Sequence, residues 1–125
     1  MSAAEIGARL VALANQGREG ENQAVSELYA DNIVSIEGAE GGEVSARIEG
    51  IDNVRGKHDW WYGANDVHSS VAEGPYVGLK ADQFAVRFTI DMTPPDSERT
   101  SFVEMGLFTV ADGKIVQEEF LYLMG

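Results

Sequence analysis

The stretch Thr109–Tyr122, TVADGKIVQEEFLY, decides how the C-terminal half of this chain of 125 residues folds. Asp112-Gly113 is a strong signal for a two-residue turn, and the flanking residues are mostly β-branched or apolar, so the stretch predicts a β-hairpin. Glu118 and Glu119 are adjacent in its second strand. Successive side chains of a strand point to opposite faces, so one of these carboxylates must face inward if either face is buried.

Counting back from the turn predicts which glutamate faces inward. Pairing Ala111 with Lys114 gives the hairpin an apolar face on which Glu118 stands alone among Val103, Met105, Leu107, Val116, Phe120 and Tyr122. Loss of hydration in an apolar wall disfavours a bare charge, and a carboxyl tuned toward neutrality is a good general acid or base. Glu118 could instead pair with an arginine or lie in water at the sheet end. A bulge at the turn would swap the faces and bury Gly106 and Glu104.

Composition excludes several classes of protein. With 44% hydrophobic residues, the chain predicts one globular domain spanning residues 1–125. It has no cysteine, which excludes disulfides and thiolate metal sites and is typical of a reducing cytoplasm. The net charge of −12 argues against nucleic-acid and membrane partners. Residues 1–16 have no basic start and no unbroken apolar run, so we expect neither a secretion signal nor a membrane span.

The first half of the chain predicts three helices. EIGARLVALANQG carries apolar residues at helical spacing and can end at Gly17, ENQAVSELYA predicts a second helix, and GIDNVRGKHDWWYG predicts a third. Between the second and third, NIVSIEG predicts a strand and EGAEGGE a glycine-rich loop.

The rest of the chain predicts strands. DVHSSVAEGPYVGLKA indicates a long irregular strand whose Gly74-Pro75 marks a bulge or an edge. DQFAVRFTIDMTPP alternates, and its apolar face consists of Phe84, Val86, Phe88, Ile90 and Met92. Helices followed by an antiparallel meander favour an α+β fold, with helices laid on one face of a curved sheet.

Three segments, in this order, resemble the SnoaL-like branch of the nuclear-transport-factor-2-like (cystatin-like α+β) superfamily. They are LYADNIVSIEG after the second helix, EGIDNVRGKHDWW at the third, and TVADGKIVQEEFLY at the end, so the resemblance covers essentially the whole chain. It implies a cone: three N-terminal helices packed on a strongly curved antiparallel or mixed sheet, around a deep and mostly apolar pocket. It also implies a homodimer formed through the outer sheet face. Members include isomerases, polyketide cyclases, dehydratases, epoxide hydrolases and non-catalytic modules, so the fold alone does not choose a reaction.

Comparison with the ketosteroid isomerase pattern transfers some positions and not others. The catalytic aspartate of that pattern lies near Glu37 of this chain, and a pocket tyrosine on the third helix corresponds to His58. Its oxyanion hole needs a tyrosine on the first helix and a protonated acid on the penultimate strand, where this chain has Leu10 and Met105. We therefore expect no ketosteroid isomerase activity as such.

The resemblance and the hairpin register together predict a site. We expect Glu118, His58 and Glu37 to carry its chemistry, because a histidine beside a buried carboxylate can move a proton near neutral pH. The expected ligand-binding walls are Tyr29, Trp61, Phe88, Met92, Met105, Phe120 and Tyr122. The plainer interpretations are a backbone-bonded His58, a solvated strand end at Glu37, and aromatic side chains that only fill the core.

Three functional hypotheses remain open, and none of them involves a cofactor or a metal. The first is an enzyme that transfers a proton within a small apolar carbonyl compound, as an isomerase, cyclase or dehydratase. The second is a binding module with the same pocket and no turnover, which the missing oxyanion tyrosine favours. The third is a dimeric scaffold whose pocket is filled by its own side chains.

Overall fold

The computed structural model describes residues 1–37 and 47–122. Its elements are α1 (Ala3–Ala14), α2 (Arg18–Leu28), β1 (Tyr29–Glu37), β2 (Arg47–Glu49), α3 (Ile51–Ala64), β3 (Asp66–Tyr76), β4 (Gln83–Thr93), β5 (Thr100–Ala111) and β6 (Lys114–Tyr122). The sequence predicts each of these except β2. The predicted glycine-rich loop EGAEGGE begins at Glu37, the last residue of β1, and the rest of it, residues 38–43, lies outside the described part of the chain.

The first helix begins with a capping box. The Ser2 hydroxyl accepts a hydrogen bond from the Glu5 backbone N–H at 3.2 Å, and the Glu5 carboxylate accepts one from the Ser2 N–H at 3.1 Å, so two free donors are satisfied. The helix buries its apolar stripe of Ile6, Leu10 and Leu13 against the sheet, as the spacing predicts.

Six strands form one sheet in the order β2-β1-β6-β5-β4-β3. β1 and β6 run parallel, whereas every other described pair is antiparallel, so the sheet is mixed. The sheet is curved and does not close on itself, and the three helices lie on it, which confirms the predicted α+β fold. β3 forms an edge and its pairing shifts between Glu73 and Tyr76, around the Gly-Pro dipeptide that predicts an irregularity there.

The hairpin of β5 and β6 differs from the prediction by one residue. The turn pairs Ala111 with Lys114 as expected, but the register then shifts, because Val116 is an extra residue on β6. Phe108 rather than Leu107 therefore lies opposite Glu118. Glu118 still faces inward, as predicted, but the β5 face that accompanies it is the other one.

The inner face of the sheet and the first two helices form the hydrophobic core. Phe84 and Phe108 stack there with ring centroids 5.0 Å apart, and both are fully buried. Val54 is the only residue of α3 that is fully buried, because most of the other inward side chains of this helix line a cavity. None of the described helices is long and apolar enough to cross a membrane.

Candidate functional site

A cavity of about 370 Å³ lies between the helices and the inner face of the sheet. Its walls are strongly aromatic, with rings from Tyr29, Trp60, Trp61, Tyr62, Phe88, Phe102, Phe108, Phe120 and Tyr122. Four glutamates also line it, namely Glu21, Glu37, Glu104 and Glu118. An apolar cavity with a few converging polar groups is the usual form of a small-molecule site.

Glu118 is the most enclosed of these acids. Its side chain has no exposed surface, and the Tyr29 hydroxyl donates to its Oε2 over 2.8 Å. Its second oxygen, Oε1, has no hydrogen-bond partner among the described residues. A buried carboxylate oxygen without a donor costs free energy. A molecule in the cavity that donates a hydrogen bond to Oε1 would remove this cost.

His58 brings a second unpartnered atom to the same cavity. The imidazole Nδ1 is buried and has no hydrogen-bond partner among the described residues. Burial, opposed by the negative charge of Glu118, lowers the pKa of His58 below its ordinary 6.5, so the ring is neutral at pH 7. No described hydrogen bond joins His58 to Glu118, so the expected direct pair is replaced by two separate groups facing one space.

Glu37 belongs to a hydrogen-bonded cluster with Lys57. The Lys57 ammonium donates to the Glu37 carboxylate at 2.8 Å and to the Ser35 hydroxyl at 2.7 Å, and it lies 5.0 Å from the centre of the Phe120 ring. The Tyr122 hydroxyl donates to the other oxygen of Glu37. The charge of Glu37 is therefore paired with that of Lys57, and hydrogen bonds fix its side chain, so Glu37 is not a solvated strand end.

Glu104 is the acid that the register shift turns inward. Burial, with repulsion from Glu37 as the second cause, raises its pKa from 4.5 to about 7. It lies directly across from Tyr122 on the neighbouring strand. The penultimate strand thus carries an acid, one position before Met105, which is the residue that the comparison with the ketosteroid isomerase pattern placed there.

Glu21 closes the cavity at the helical side. It accepts a hydrogen bond from the Tyr62 hydroxyl, and the Arg18 guanidinium lies 5.0 Å over the Tyr62 ring. Burial raises the pKa of Glu21, while Tyr62 and Arg18 act in the opposite direction. This group ties α2 to α3.

The structure brings most of the predicted site residues to the cavity wall: Glu118, His58, Glu37, Tyr29, Trp61, Phe88, Phe120 and Tyr122. The prediction that Met105 lines the cavity is wrong. The extra residue at Val116 turns Met105 to the outer face, where it lies opposite Leu121. Met92 is buried on the predicted face of β4 but does not reach the cavity.

The predicted set of site residues does not include Lys57, Glu104, Glu21 and Tyr62, which line the cavity. Lys57 stands three residues after the buried Val54 and four before Trp61, which is the helical spacing of the inward stripe, so its position on the helix could have revealed it. Glu104 follows from the bulge alternative. Among the described residues no group of three or more acidic or histidine side chains is arranged to hold a metal ion.

Comparisons with known proteins agree with this architecture. The profile of the SnoaL-like domain matches residues 1–122. A Mesorhizobium loti protein to which a SnoaL-like polyketide cyclase activity has been ascribed is 41% identical, with a TM-score of 0.88 over 98% of this chain and 100% of its own. No curated protein sequence matches the chain.

More distant structures share the fold alone. A Bacillus subtilis protein ascribed isomerase activity is 18% identical, with a TM-score of 0.71 over 97% of this chain and 86% of its own. A nuclear-transport-factor-2-like protein from Anabaena variabilis is 9% identical, with a TM-score of 0.76 over 98% of this chain and 90% of its own. The family profile covers almost the whole chain and one relative is closely similar in sequence and structure, so this protein belongs to the SnoaL-like family.

Proposed function

We propose that the cavity binds a small, largely apolar carbonyl compound and that the protein transfers a proton within it without a cofactor. The observation that carries this proposal is the state of Glu118, whose one oxygen is held by Tyr29 while the other faces the cavity unpartnered. A carboxylate in this position is a general base aimed at whatever occupies the cavity.

The proposed step is the removal of a hydrogen from the carbon beside the carbonyl. The C–H bond breaks, Glu118 Oε1 takes the proton, and the electron pair moves to the carbonyl oxygen. Neutral His58, in the tautomer with hydrogen on Nδ1, donates to that developing oxyanion. Where a carbon–carbon double bond adjoins that carbon, the anion extends over both, and return of the proton from Glu118 to the far carbon shifts the double bond and completes an isomerisation.

Tyr29 is the positioning residue for the base. Burial, then the charge of Glu118 and the hydrogen bond to it, raise the pKa of Tyr29 well above 10, so the hydroxyl remains a donor across the physiological range. Its hydrogen bond holds Oε2 of Glu118 and leaves Oε1 free.

A test that needs no knowledge of the natural substrate uses 2-tetralone in D2O. NMR measures the exchange of the hydrogens beside its carbonyl for deuterium, with the wild type, with Glu118→Gln and with the matched control Glu119→Gln. Glu119 lies on the opposite face of the strand, and its substitution by glutamine removes the same charge. We expect the wild type and Glu119→Gln to accelerate exchange about 10²-fold or more, as general bases do, and Glu118→Gln to lose this acceleration.

The second candidate function is binding without turnover. It is favoured by Leu10, which lines the cavity on α1 where an oxyanion tyrosine would stand. In the same experiment, 2-tetralone signals that shift on binding without any exchange would support binding over catalysis. Equal exchange by Glu118→Gln and the wild type would show that Glu118 is not the base.

Self-association through the outer sheet face also stays a proposal. Val103, Met105 and Leu121 are apolar residues on that face, beside Arg87. If two copies pack there, Met105→Glu should convert a dimer to a monomer in sedimentation equilibrium. A cytoplasmic location, expected from the lack of cysteine, likewise remains a prediction.

A further inference from the structure

The unpartnered atoms in the cavity place a demand on its ligand. Glu118 Oε1 is a hydrogen-bond acceptor, and a neutral imidazole nitrogen is an acceptor unless it carries the hydrogen. A ketone oxygen is also an acceptor, so it cannot satisfy the carboxylate. A molecule that satisfies Glu118 Oε1 must bring a hydrogen-bond donor.

The charges around the cavity add a second demand. Among the described residues that line it, Lys57 is the one ammonium, and it is engaged by Glu37. Glu21 has Arg18 nearby. Glu118 has no cation in direct contact among the described residues, since its hydrogen-bond partner is the neutral Tyr29 hydroxyl. Buried carboxylates are ordinarily paired with a positive charge.

The rings beside Glu118 supply the third observation. Phe108 lies directly opposite Glu118 on β5, and Phe120 is the next inward residue on β6. Their centroids are 6.3 Å apart with the rings nearly perpendicular, and both line the cavity. Phe84 stacks on one face of Phe108 and the Lys57 ammonium lies over Phe120, so these rings can pack against the apolar body of a ligand and leave its charge to Glu118.

We infer that the cavity selects an organic cation, a protonated amine on an apolar body, whose N–H donates to Glu118 Oε1 beside the rings of Phe108 and Phe120. A molecule held in this way occupies the oxygen that takes the proton in the proposed step, so it is a ligand of the cavity and not the compound that is isomerised. The inference rests on the proposed function only in taking the cavity as a ligand site, and not on turnover.

The test uses three probes with the same heavy-atom skeleton. N,N-dimethylbenzylamine is cationic at pH 7 and carries one N–H donor, 1-phenyl-2-propanol is neutral with an O–H donor, and isobutylbenzene is neutral with none. Dissociation constants from NMR titration of the wild type are compared with those of Glu118→Gln and Glu119→Gln. Both variants change the net charge equally, and Glu119 faces away from the cavity.

We expect the amine to bind about tenfold or more tightly than either neutral probe, because its N–H bond to Glu118 also pairs two opposite charges. Glu118→Gln should remove that preference and Glu119→Gln should keep it. Equal binding of all three probes, or tightest binding of isobutylbenzene, would overturn the inference and leave the proposed apolar site standing. Equal dissociation constants for the alcohol and the amine would overturn the inference in the same way. If no probe binds, both fail.

Retention of the fold is checked by the two-dimensional amide spectrum of each variant. Should Glu118→Gln not fold, Tyr29→Phe provides the second variant, since it leaves the charge in place and removes only the supporting hydroxyl. That variant should retain the amine preference. Its loss there would assign the preference to Tyr29 and refute the role of Glu118.

Discussion

Tyr29 and Glu118 are 89 positions apart in the chain and are joined by a hydrogen bond of 2.8 Å in which the phenol donates to the carboxylate. Tyr29 is 6% exposed and Glu118 is 0% exposed. The bond links the first residue of β1 to the middle of β6, two strands that run parallel. It therefore connects the helical half of the chain to its last strand, and it holds one acid of the cavity in place.

The first prediction concerns the cost of breaking this bond. Tyr29→Phe should lower the free energy of unfolding by about 1–3 kcal/mol, since it leaves both oxygens of Glu118 without a donor. Tyr29→Phe with Glu118→Leu should be more stable than Tyr29→Phe alone, because the double variant has no unpaired polar group at these two positions. Urea denaturation measures both, with the exposed Tyr76→Phe as control. If Tyr29→Phe has the same free energy of unfolding as the wild type, the bond does not stabilise the fold.

The second prediction concerns pH. Burial raises the pKa of Glu104 to about 7, whereas in the unfolded chain the same carboxyl titrates near 4.5. Between these values the native protein keeps a proton that the unfolded chain has released, so each rise in pH favours unfolding. Relative to Glu104→Gln, the wild type should therefore lose stability from about pH 4.5 to about pH 7 and change little above that.

The measurement is the free energy of unfolding of both proteins at a series of pH values. His58 has the opposite effect, because its lowered pKa makes stability rise with pH, but it is present in both proteins and cancels in the difference. Two parallel curves would contradict the inward placement of Glu104.

The third prediction compares two ion pairs. The side chains of Lys57 and Glu37 are 10% and 20% exposed, and those of Arg9 and Glu27 are 40% and 41% exposed. Lys57→Met leaves the partly buried Glu37 carboxylate without its cation and should cost about 1.5–3 kcal/mol. Arg9→Met removes a solvated pair and should cost at most about 1 kcal/mol. Thermal unfolding separates the two, and equal losses would show that the Lys57 pair is as solvated as the surface pair.

The fourth prediction compares two helical glycines. A Cβ at Gly20 would lie 1.9 Å from the Leu13 carbonyl oxygen and 2.7 Å from Gln16 Cβ, whereas a Cβ at Gly56 would meet nothing within 4 Å. Gly20→Ala should therefore destabilise by about 1–3 kcal/mol or more, since backbone has to move. Gly56→Ala should stabilise by about 0.5–1 kcal/mol through lower backbone entropy in the unfolded state. Denaturant midpoints give both signs.

The fold was predictable because its signals are local. The helical spacing of Ile6, Leu10 and Leu13, the alternation in β4, and the Asp112-Gly113 turn each follow from residues that are near neighbours in sequence. Both turn residues have positive φ, 52° and 76°, as a two-residue hairpin turn of this kind requires.

The site was predictable only on one side of the hairpin. Glu118, Phe120 and Tyr122 face the cavity as the alternation on β6 requires, but their partners on β5 depend on an extra residue that has no local signature, since Val116 suits a regular strand as well as a bulge. Contacts between distant segments, such as Lys57 with Glu37 and Tyr29 with Glu118, follow from the tertiary arrangement and not from spacing.

The extra residue at Val116 has a consequence for how relatives of this chain are aligned. It changes the parity of β6 relative to β5, so a homologue with the same number of residues but a regular hairpin would place its counterpart of Glu119, and not that of Glu118, on the same face as the inward Phe108. An alignment without a gap would then equate an inward side chain with an outward one. In this hairpin, the extra residue decides which carboxylate faces the cavity, and residue identity alone does not.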